Sequence, residues 1–476
     1  MPATSLSALD ERLARVRFRR AVTLMLMTLV VPGSAQLVAG NKRVGRVALR
    51  IWLTLVAALL GSVLLGLVWH GFAFWLISNA FLLGFVRVLL LGLAVGWAVL
   101  FVDAWRLGQP LELRQKQRLA MVGINGFLTF SVAGSLLFAS HVVAVGGSSL
   151  TAVFGSGPSA DESAGRYNVL LIGGDAGAGR WGMRADSINI ASIDAETGRT
   201  VLIGLPRNMQ NFPFAEGSVM AEQFPDGYDC DDCYLNSLAT FAADNKALFR
   251  DSENPGVDAT IQAVEGITGL DISYWAMVNM RGFQDLVDAF DGVTLNVRDR
   301  IPVGGLGNDV TGYIEPGVRK LNGFETLWFS RAREGSDDYS RMARQKCVMQ
   351  AMVDQVSPQK ALRNFQKIAE ASAAMVSTSI PTSEVDRFLD LALKARSQKI
   401  STLSVVPPLV NTADPDIDLV HRKVAEAIAR AEGTAEAAPP KRRKPKPTPA
   451  EMTGGSVGSL SNGYAANASD DLASAC

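Results

Sequence analysis

Apolar residues crowd the first third of the chain, and polar positions interleave with them only afterwards. Three runs, 51–69, about 84–104 and 119–145, are apolar and nearly free of charge. Each approaches or exceeds the about 20 residues that cross a bilayer. The middle run has an uncharged centre at 88–102, and Arg87 before it can snorkel to the interface. A fourth apolar run, 21–40, is broken by Pro32, Gly33, Ser34 and Gln36, so it reads as re-entrant or interfacial. Residues 146–166 are rich in Gly and Ser and read as a linker. Beyond them the pattern shortens. Strands are expected at 167–172, 187–193, 200–205, 274–280, 292–297 and 402–406. Helices are expected at 258–268, 283–290, 341–356, 361–376 and 384–396. This alternation predicts an α/β domain over 167–433, a mixed sheet flanked by helices. From 434 to 476 Pro, Lys, Gly and Ser dominate, a composition that cannot build a core and predicts a disordered tail.

Charge orients this plan. The whole chain has 46 Lys+Arg against 46 Asp+Glu. Residues 1–150 hold 14 basic and 4 acidic residues, so the remainder is acidic overall. Basic side chains concentrate in 1–20, in 41–50 and in 105–118, whereas the 70–80 loop has no Lys, Arg, Asp or Glu. By the positive-inside rule the three basic segments face the cytoplasm. Three spans then place the body outside, as the exposed part of a multi-pass cell-membrane protein. No cleavable signal peptide fits this pattern. An acidic body gives no reason to expect nucleic acid as a partner.

The rare residues narrow the chemistry. His70, His141 and His421 are the three histidines, and none lies in 150–420. A Ser-His-Asp or Cys-His nucleophile and a His-bearing zinc site are thereby excluded from most of the body. The four cysteines, Cys230, Cys233, Cys347 and Cys476, all follow the last span. They are expected to form structural disulfides in an oxidising compartment, with pairing open among Cys230, Cys233 and Cys347. A G-x-S-x-G match at 454–458 has neither flanking strand and helix nor a histidine partner, and is set aside.

What remains is carboxylate and guanidinium chemistry. A strand is expected to end at Gly173, a glycine-rich loop to follow, and the next strand to begin beside Asp186. If the two strands are neighbours, Asp175 and Asp186 share a sheet end. Two carboxylates with few other ligands suit Mg²⁺ (or Mn²⁺), which keeps waters and shares phosphate oxygens. Arg207 follows a strand end after Leu205-Pro206. Arg331 and Arg333, two apart, would point to one side of an extended segment. Arg341 and Arg344, three apart, share a helix face in what reads as a first turn, where an anion would relieve the dipole. Asp337 and Asp338 just before them offer local capping and salt bridges instead.

These residues fall in an ordered series. It runs through Asn168-Val-Leu-Leu-Ile-Gly-Gly-Asp175, Arg184-Ala-Asp186-Ser, Gly204-Leu-Pro-Arg207-Asn and Leu235-Asn236-Ser. It continues through Val278-Asn-Met-Arg281-Gly-Phe, Leu321-Asn-Gly-Phe-Glu, Phe329-Ser-Arg331-Ala-Arg333 and Asp338-Tyr-Ser-Arg341-Met-Ala-Arg344-Gln345. The series resembles the LytR-CpsA-Psr family of membrane-anchored bacterial envelope enzymes. The multi-span head with Pro32-Gly33-x-x-Gln36 is similar to actinobacterial members.

The resemblance implies a pocket for a polyprenyl tail. It also implies transfer of a glycopolymer from a polyprenyl-pyrophosphate carrier to peptidoglycan through a phosphodiester. It assigns Mg²⁺ to Asp175 and Asp186, and pyrophosphate to Arg184, Arg207, Arg331 and Arg333. Arg341 and Arg344 would line the same site, with Arg180, Asn236, Arg281 and Gln345 as further substrate contacts. Asn208 stands where many members carry Asp. The rival expectations are a polyprenyl-pyrophosphate phosphatase and a non-catalytic protein that binds the lipid carrier.

Overall fold

The structure, a computed structural model, describes residues 3–434 and Asn467. Within that span it leaves out most of 69–78, then 154–158, 176–183, 251, 306–308, 334–337 and 356–375. The chain divides into two compact units, Met1–Ser148 and Ser149–Cys476.

In the first unit the first two basic segments are helical. Helix α1 (Ala3–Val30) carries the N-terminal arginines, and α3 (Lys42–Val68) begins at the second basic cluster. Lys and Arg are good helix formers, so these cations extend the apolar helices instead of ending them. The 21–40 run is two helical pieces, the end of α1 and α2 (Ser34–Ala39), broken at Pro32-Gly33. Gly33 has φ +91°, and a Cβ there would meet the Gly45 carbonyl oxygen at 2.6 Å, so the turn needs glycine. The run packs on α4 (Ala80–Leu107): Gln36 Nε2 donates to the Leu100 carbonyl at 3.1 Å, and Trp97 Nε1 to the Thr28 carbonyl at 3.0 Å. Among the described residues three helices are long and apolar enough to cross a membrane: Lys42–Gly66, Phe81–Leu107 and Gln115–Ala144. The last belongs to α5 (Gln115–Val153), which runs into the expected linker. The linker's end is also structured, since Ala160 N–H donates to Tyr274 Oη at 2.7 Å.

The second unit is an α/β domain built on a six-stranded mixed sheet. Its strands are β1 (Arg166–Asp175), β2 (Arg184–Asp194), β3 (Thr200–Leu205), β4 (Tyr274–Asn279), β9 (Val376–Thr378) and β10 (Ser401–Ser404), in the order β10-β3-β2-β1-β4-β9. Alternation along β1 feeds two faces. Leu170 and Ile172 join Ile188, Ile190 and Ile203 in the main core, under α8 (Pro255–Thr268) and α13 (Ile417–Glu432). Tyr167 and Val169 face the other way, onto Tyr274 and Leu391 of α12 (Val385–Arg396). Helix α8 starts with Pro255 at its first turn and stops at Gly269 with φ +69°, the Pro-in, Gly-out asymmetry of helix ends. Two short helices, α6 (Val219–Gln223) and α7 (Leu238–Asp244), also cover the main core.

A second core lies under two small sheets. Strands β5 (Val293–Val297) and β8 (Gly317–Leu321) pair, as do β6 (Ile301–Gly304) and β7 (Val310–Ile314). They pack with α9 (Met280–Ala289), α10 (Gly323–Arg331) and α11 (Asp338–Gln355). Helix α10 opens on an Asn322/Glu325 capping box. This overturns the extended reading of 331–333: Arg331 ends α10, and Arg333 lies beyond its cap at Ala332. The helix expected at 361–376 lies outside the described residues except for Val376, which opens β9. The tail lies outside them too, apart from Thr434 and Asn467. Cys230 and Cys233 pair with each other, their Cα atoms 5.1 Å apart.

Candidate functional site

Strands β1 and β2 are antiparallel neighbours, joined by the glycine-rich segment as expected. Strand β1, however, runs past Gly173 to Asp175, across a bulge between Gly173 and Gly174. Asp186 therefore lies inside β2, and Asp175 is the register partner of Arg184. The backbone thus brings Asp175, Arg184 and Asp186 to one end of the β1–β2 pair. Arg184 is exposed there. Arg180 and Asp337 lie outside the described residues.

Strand β3 ends at Leu205, and Pro206 turns the chain so that Arg207 enters this same end. The Asn236 N–H donates to the Arg207 carbonyl at 3.0 Å and holds that turn, so Asn236 acts on the site through Arg207's backbone. The Arg207 guanidinium bridges two carboxylates. Its Nη1 donates to Asp186 Oδ1 at 2.6 Å, and its Nε donates to Asp338 Oδ2 at 2.9 Å. Lysine has no planar fork to span both. Burial alone would lower Arg207's pKa, but the hydrogen bonds and charges of Asp338 and Asp186 carry it above its ordinary value.

Helix α11 supplies the other wall. It starts at Asp338, three residues earlier than expected, which moves Arg341 to the end of the first turn and Arg344 into the second. A carboxylate at the helix start satisfies the dipole there. Asp338 also collects cations: Arg333 Nη1 lies 3.5 Å from Oδ1, and Arg341 Nε lies 3.7 Å away. Burial would raise the Asp338 carboxyl, but Arg341, Arg207 and Arg333 together hold it below the usual carboxylate range. Asp338 is thus a hub of the site, which sequence reasoning weighed only for local capping and salt bridging.

Arg341 is 4% exposed and donates through Nη2 to the Asp186 carbonyl at 2.8 Å. Its Nη1 lies 3.8 Å from Asp186 Oδ1. Burial lowers its pKa to about 10, with Asp338 and Asp186 opposing and Arg207 and Arg333 assisting. It is still protonated at neutral pH. Arg344 is buried and donates to the Ala332 carbonyl, so it braces the segment that carries Arg333. Gln345 ties the walls together. Its Oε1 accepts from Ser187 Oγ at 3.0 Å, and its Nε2 lies 3.4 Å from the Ser330 carbonyl.

Arg331 and Arg281 make further contacts. Arg331 lies over the Trp328 ring, its guanidinium carbon 5.0 Å from the centroid. Arg281, on α9, is 70% exposed and pairs with Asp285 one turn on, at 3.2 Å. Asn208, beside Arg207, buries its Oδ1 without a hydrogen-bond partner among the described residues.

What converges, then, is Arg207, Arg333 and Arg341 around Asp186 and Asp338. The set has spare positive charge, and Asp186 is 35% exposed. Such a site can take a polyanion of phosphate type, because guanidinium forks match phosphate oxygens. Among the described residues no group of three or more His, Cys, Asp or Glu could hold a metal ion. The backbone register brings Asp175 and Asp186 to the same end of the β1–β2 pair, and two carboxylates are the donor chemistry of a hard divalent cation that takes its other ligands from water and phosphate. Elsewhere, a cleft of about 300 Å³ is lined by Glu315, Arg319, Lys320 and Glu325 together with Tyr313, Ile314, Val318 and Leu321.

Comparison with known proteins gives the following. A model described as the LytR_cpsA_psr family matches residues 149–417. Biofilm regulatory protein A of Streptococcus mutans is 27% identical over 225 residues, 46% of this chain and 50% of that protein. The polyisoprenyl-teichoic acid–peptidoglycan teichoic acid transferase TagV of Bacillus subtilis is 29% identical over 153 residues, 32% of this chain and 39% of that one. The chain thus spans half or less of the length of these two relatives. The crystal structure of B. subtilis TagV aligns with 58% of this chain and 100% of its own, at 20% identity and TM-score 0.41. TagT bound to LIIa-WTA aligns with 58% and 97%, at 17% identity and TM-score 0.39.

Proposed function

This chain belongs to the LytR_cpsA_psr family, and on that premise we propose that it transfers a glycopolymer from a polyprenyl-pyrophosphate carrier to peptidoglycan. The observation that carries the reading is Arg207, fixed between Asp186 and Asp338 with Arg333 and Arg341 beside it. The name of the B. subtilis relative, a polyisoprenyl-teichoic acid–peptidoglycan teichoic acid transferase, supports it.

Phosphoryl transfer asks little covalent chemistry of a protein. It asks for positioning and for neutralisation of charge on the equatorial and leaving oxygens. In the proposed reaction an acceptor hydroxyl of peptidoglycan attacks the phosphorus that bears the glycan. The P–O–P bond breaks, the polyprenyl phosphate leaves, and a phosphodiester joins glycan to acceptor. Arg207, Arg333 and Arg341 grip the diphosphate, and Asp186 and Asp338 keep the guanidinium groups aimed before substrate arrives. That preorganisation removes reorientation from the barrier. Arg184, exposed at the start of β2, adds a further cation at the same strand end. Asp175 and Asp186 would hold Mg²⁺, which when bound adds positive charge against the diphosphate.

The basic flanks of the apolar helices support a cytoplasmic side for those flanks and an outer-face position for this domain. The test uses the full chain in detergent micelles with Mg²⁺, a polyprenyl-pyrophosphate-linked glycan and a peptidoglycan fragment. Mass spectrometry should find the fragment enlarged by glycan plus one phosphate, and Arg207→Ala should abolish that product while circular dichroism stays unchanged. Free glycan phosphate as the sole product would replace transfer by hydrolysis. Unchanged turnover in the variant would remove Arg207 from the mechanism.

A further inference from the structure

Strand β8 is exposed at four successive positions, 317–320, and only Leu321 turns into the second core. Successive side chains of a strand point to opposite faces, so neither face of β8 is covered along that stretch. The cleft beside Glu325 follows this strand, touching each of 318–321 together with the end of β7. Tyr313, 46% exposed, adds an aromatic ring to the wall, with the Arg300 guanidinium 3.7 Å from its centroid.

The wall holds two carboxylates and two cations, yet its charge does not cancel. Glu315 is engaged by Arg300, whose Nε donates to Oε1 at 2.8 Å. Glu325 closes the capping box of α10, its Oε2 accepting from the Asn322 N–H at 3.0 Å, where the helix dipole offsets a negative charge. Arg319 donates through Nε to the Glu315 carbonyl and keeps its Nη groups for another acceptor. Among the described residues neither Arg319 nor Lys320 pairs with a carboxylate. Two such cations beside an aromatic ring complement an anionic ligand with an apolar body.

Position selects the ligand. Helix α10 joins the cleft to the site: Glu325 in its first turn lines the cleft, Arg331 ends it, and Arg333 just beyond reaches Asp338. From Glu325 to Arg331 the helix rises about 9 Å. The charge of the donor lies in its diphosphate, held at the far end of α10. The acceptor arrives separately and needs its own hold beside the reacting phosphorus, since water competes for that place. Peptidoglycan brings carboxylates on its peptide stems.

On the transfer reading above, we propose that the cleft between β7 and β8 docks the acceptor peptidoglycan, with Arg319 and Lys320 pairing with its stem carboxylates. The experiment uses the full chain in detergent micelles and a soluble peptidoglycan fragment with free stem carboxylates. Calorimetric titration without donor reads binding independently of turnover. Wild type should bind, and Arg319→Gln/Lys320→Gln should raise Kd about tenfold, as two exposed charge pairs allow. Its Tm should not move, because both side chains are exposed. Arg207→Ala should bind the fragment as wild type does, so a failure of docking and a failure of the transfer reading are seen separately. In the transfer assay the double variant should raise KM for the fragment about tenfold and leave KM for the donor unchanged. Equal binding by wild type and the double variant overturns the proposal, as does equally tight binding of the fragment with its carboxylates amidated. Loss of binding to free glycopolymer in the double variant, with the fragment still bound, gives the cleft to the donor and overturns it too.

Discussion

Replacing Asp338 by Asn removes one negative charge and leaves the side chain's shape. Three arginines lose a partner. Arg207 gives up its 2.9 Å charge-assisted bond from Nε, and Arg333 and Arg341 lose the carboxylate oxygen at 3.5 and 3.7 Å. A hydrogen bond between charged groups contributes about 1.5–3 kcal/mol. Asp338 and Arg207 are each 19% exposed, so solvent screens the pair only in part. The two longer contacts are worth less, and the loss expected at pH 7 is about 2–3 kcal/mol. For a domain of this size that is a fall in Tm of about 4–10 °C.

The pH dependence is the sharper part. Asp338 has a folded pKa below its ordinary value of 3.8. A carboxyl depressed in this way stabilises the fold above its unfolded pKa and loses that contribution as pH falls through the folded one. The gap between wild type and Asp338→Asn should therefore be constant from pH 7 to about 5 and close progressively below pH 4. Thermal unfolding followed by circular dichroism across that range measures it. Equal Tm values at pH 7, or a gap that persists undiminished at pH 3, would refute the electrostatic role given to Asp338.

Two further substitutions probe the edges of the site. Arg281→Ala breaks a surface pair with Asp285 and should change turnover by less than about twofold, since exposed i,i+4 pairs contribute only about 0.3–0.5 kcal/mol; a hundredfold loss in the transfer assay would bring Arg281 into the substrate contacts. Gln345→Ala cuts the link from Ser187 on β2 to α11 and should cost about 1 kcal/mol in urea unfolding. Its turnover should fall through kcat, because the arginine wall shifts while the diphosphate ligands remain; a change confined to KM would count against that positioning role.

Much of this protein is written in its local patterns. The apolar runs, being long and nearly uncharged, admit only helices of spanning length, because backbone polar groups in lipid must be paired within the segment. Strand β3 was expected at 200–205 and is found there, since six successive buried positions leave no amphipathic alternative. The Asp and Arg positions were legible as a motif, because their order along the chain is itself a sequence property. The small strands β6, β7 and β8 were not. They are four or five residues long, and β8 exposes all but Leu321, so neither period nor apolar content marks them.

Tertiary structure decided which charges meet. Asp338 looked like a local cap and salt-bridge partner because a helix start explains an acidic residue there; only the approach of β3 behind Pro206 gives it Arg207, 131 residues away in the chain. Arg281 and Arg341 are both arginines of the motif, yet one ends 70% exposed and the other is 4% exposed. Asn467, in a segment whose composition predicts disorder, is buried against Tyr339 and Ser404. In each case the chain supplies a residue type whose local preferences are satisfied in several ways. The partner that settles the matter comes from an element distant in sequence, through contacts that no local window contains.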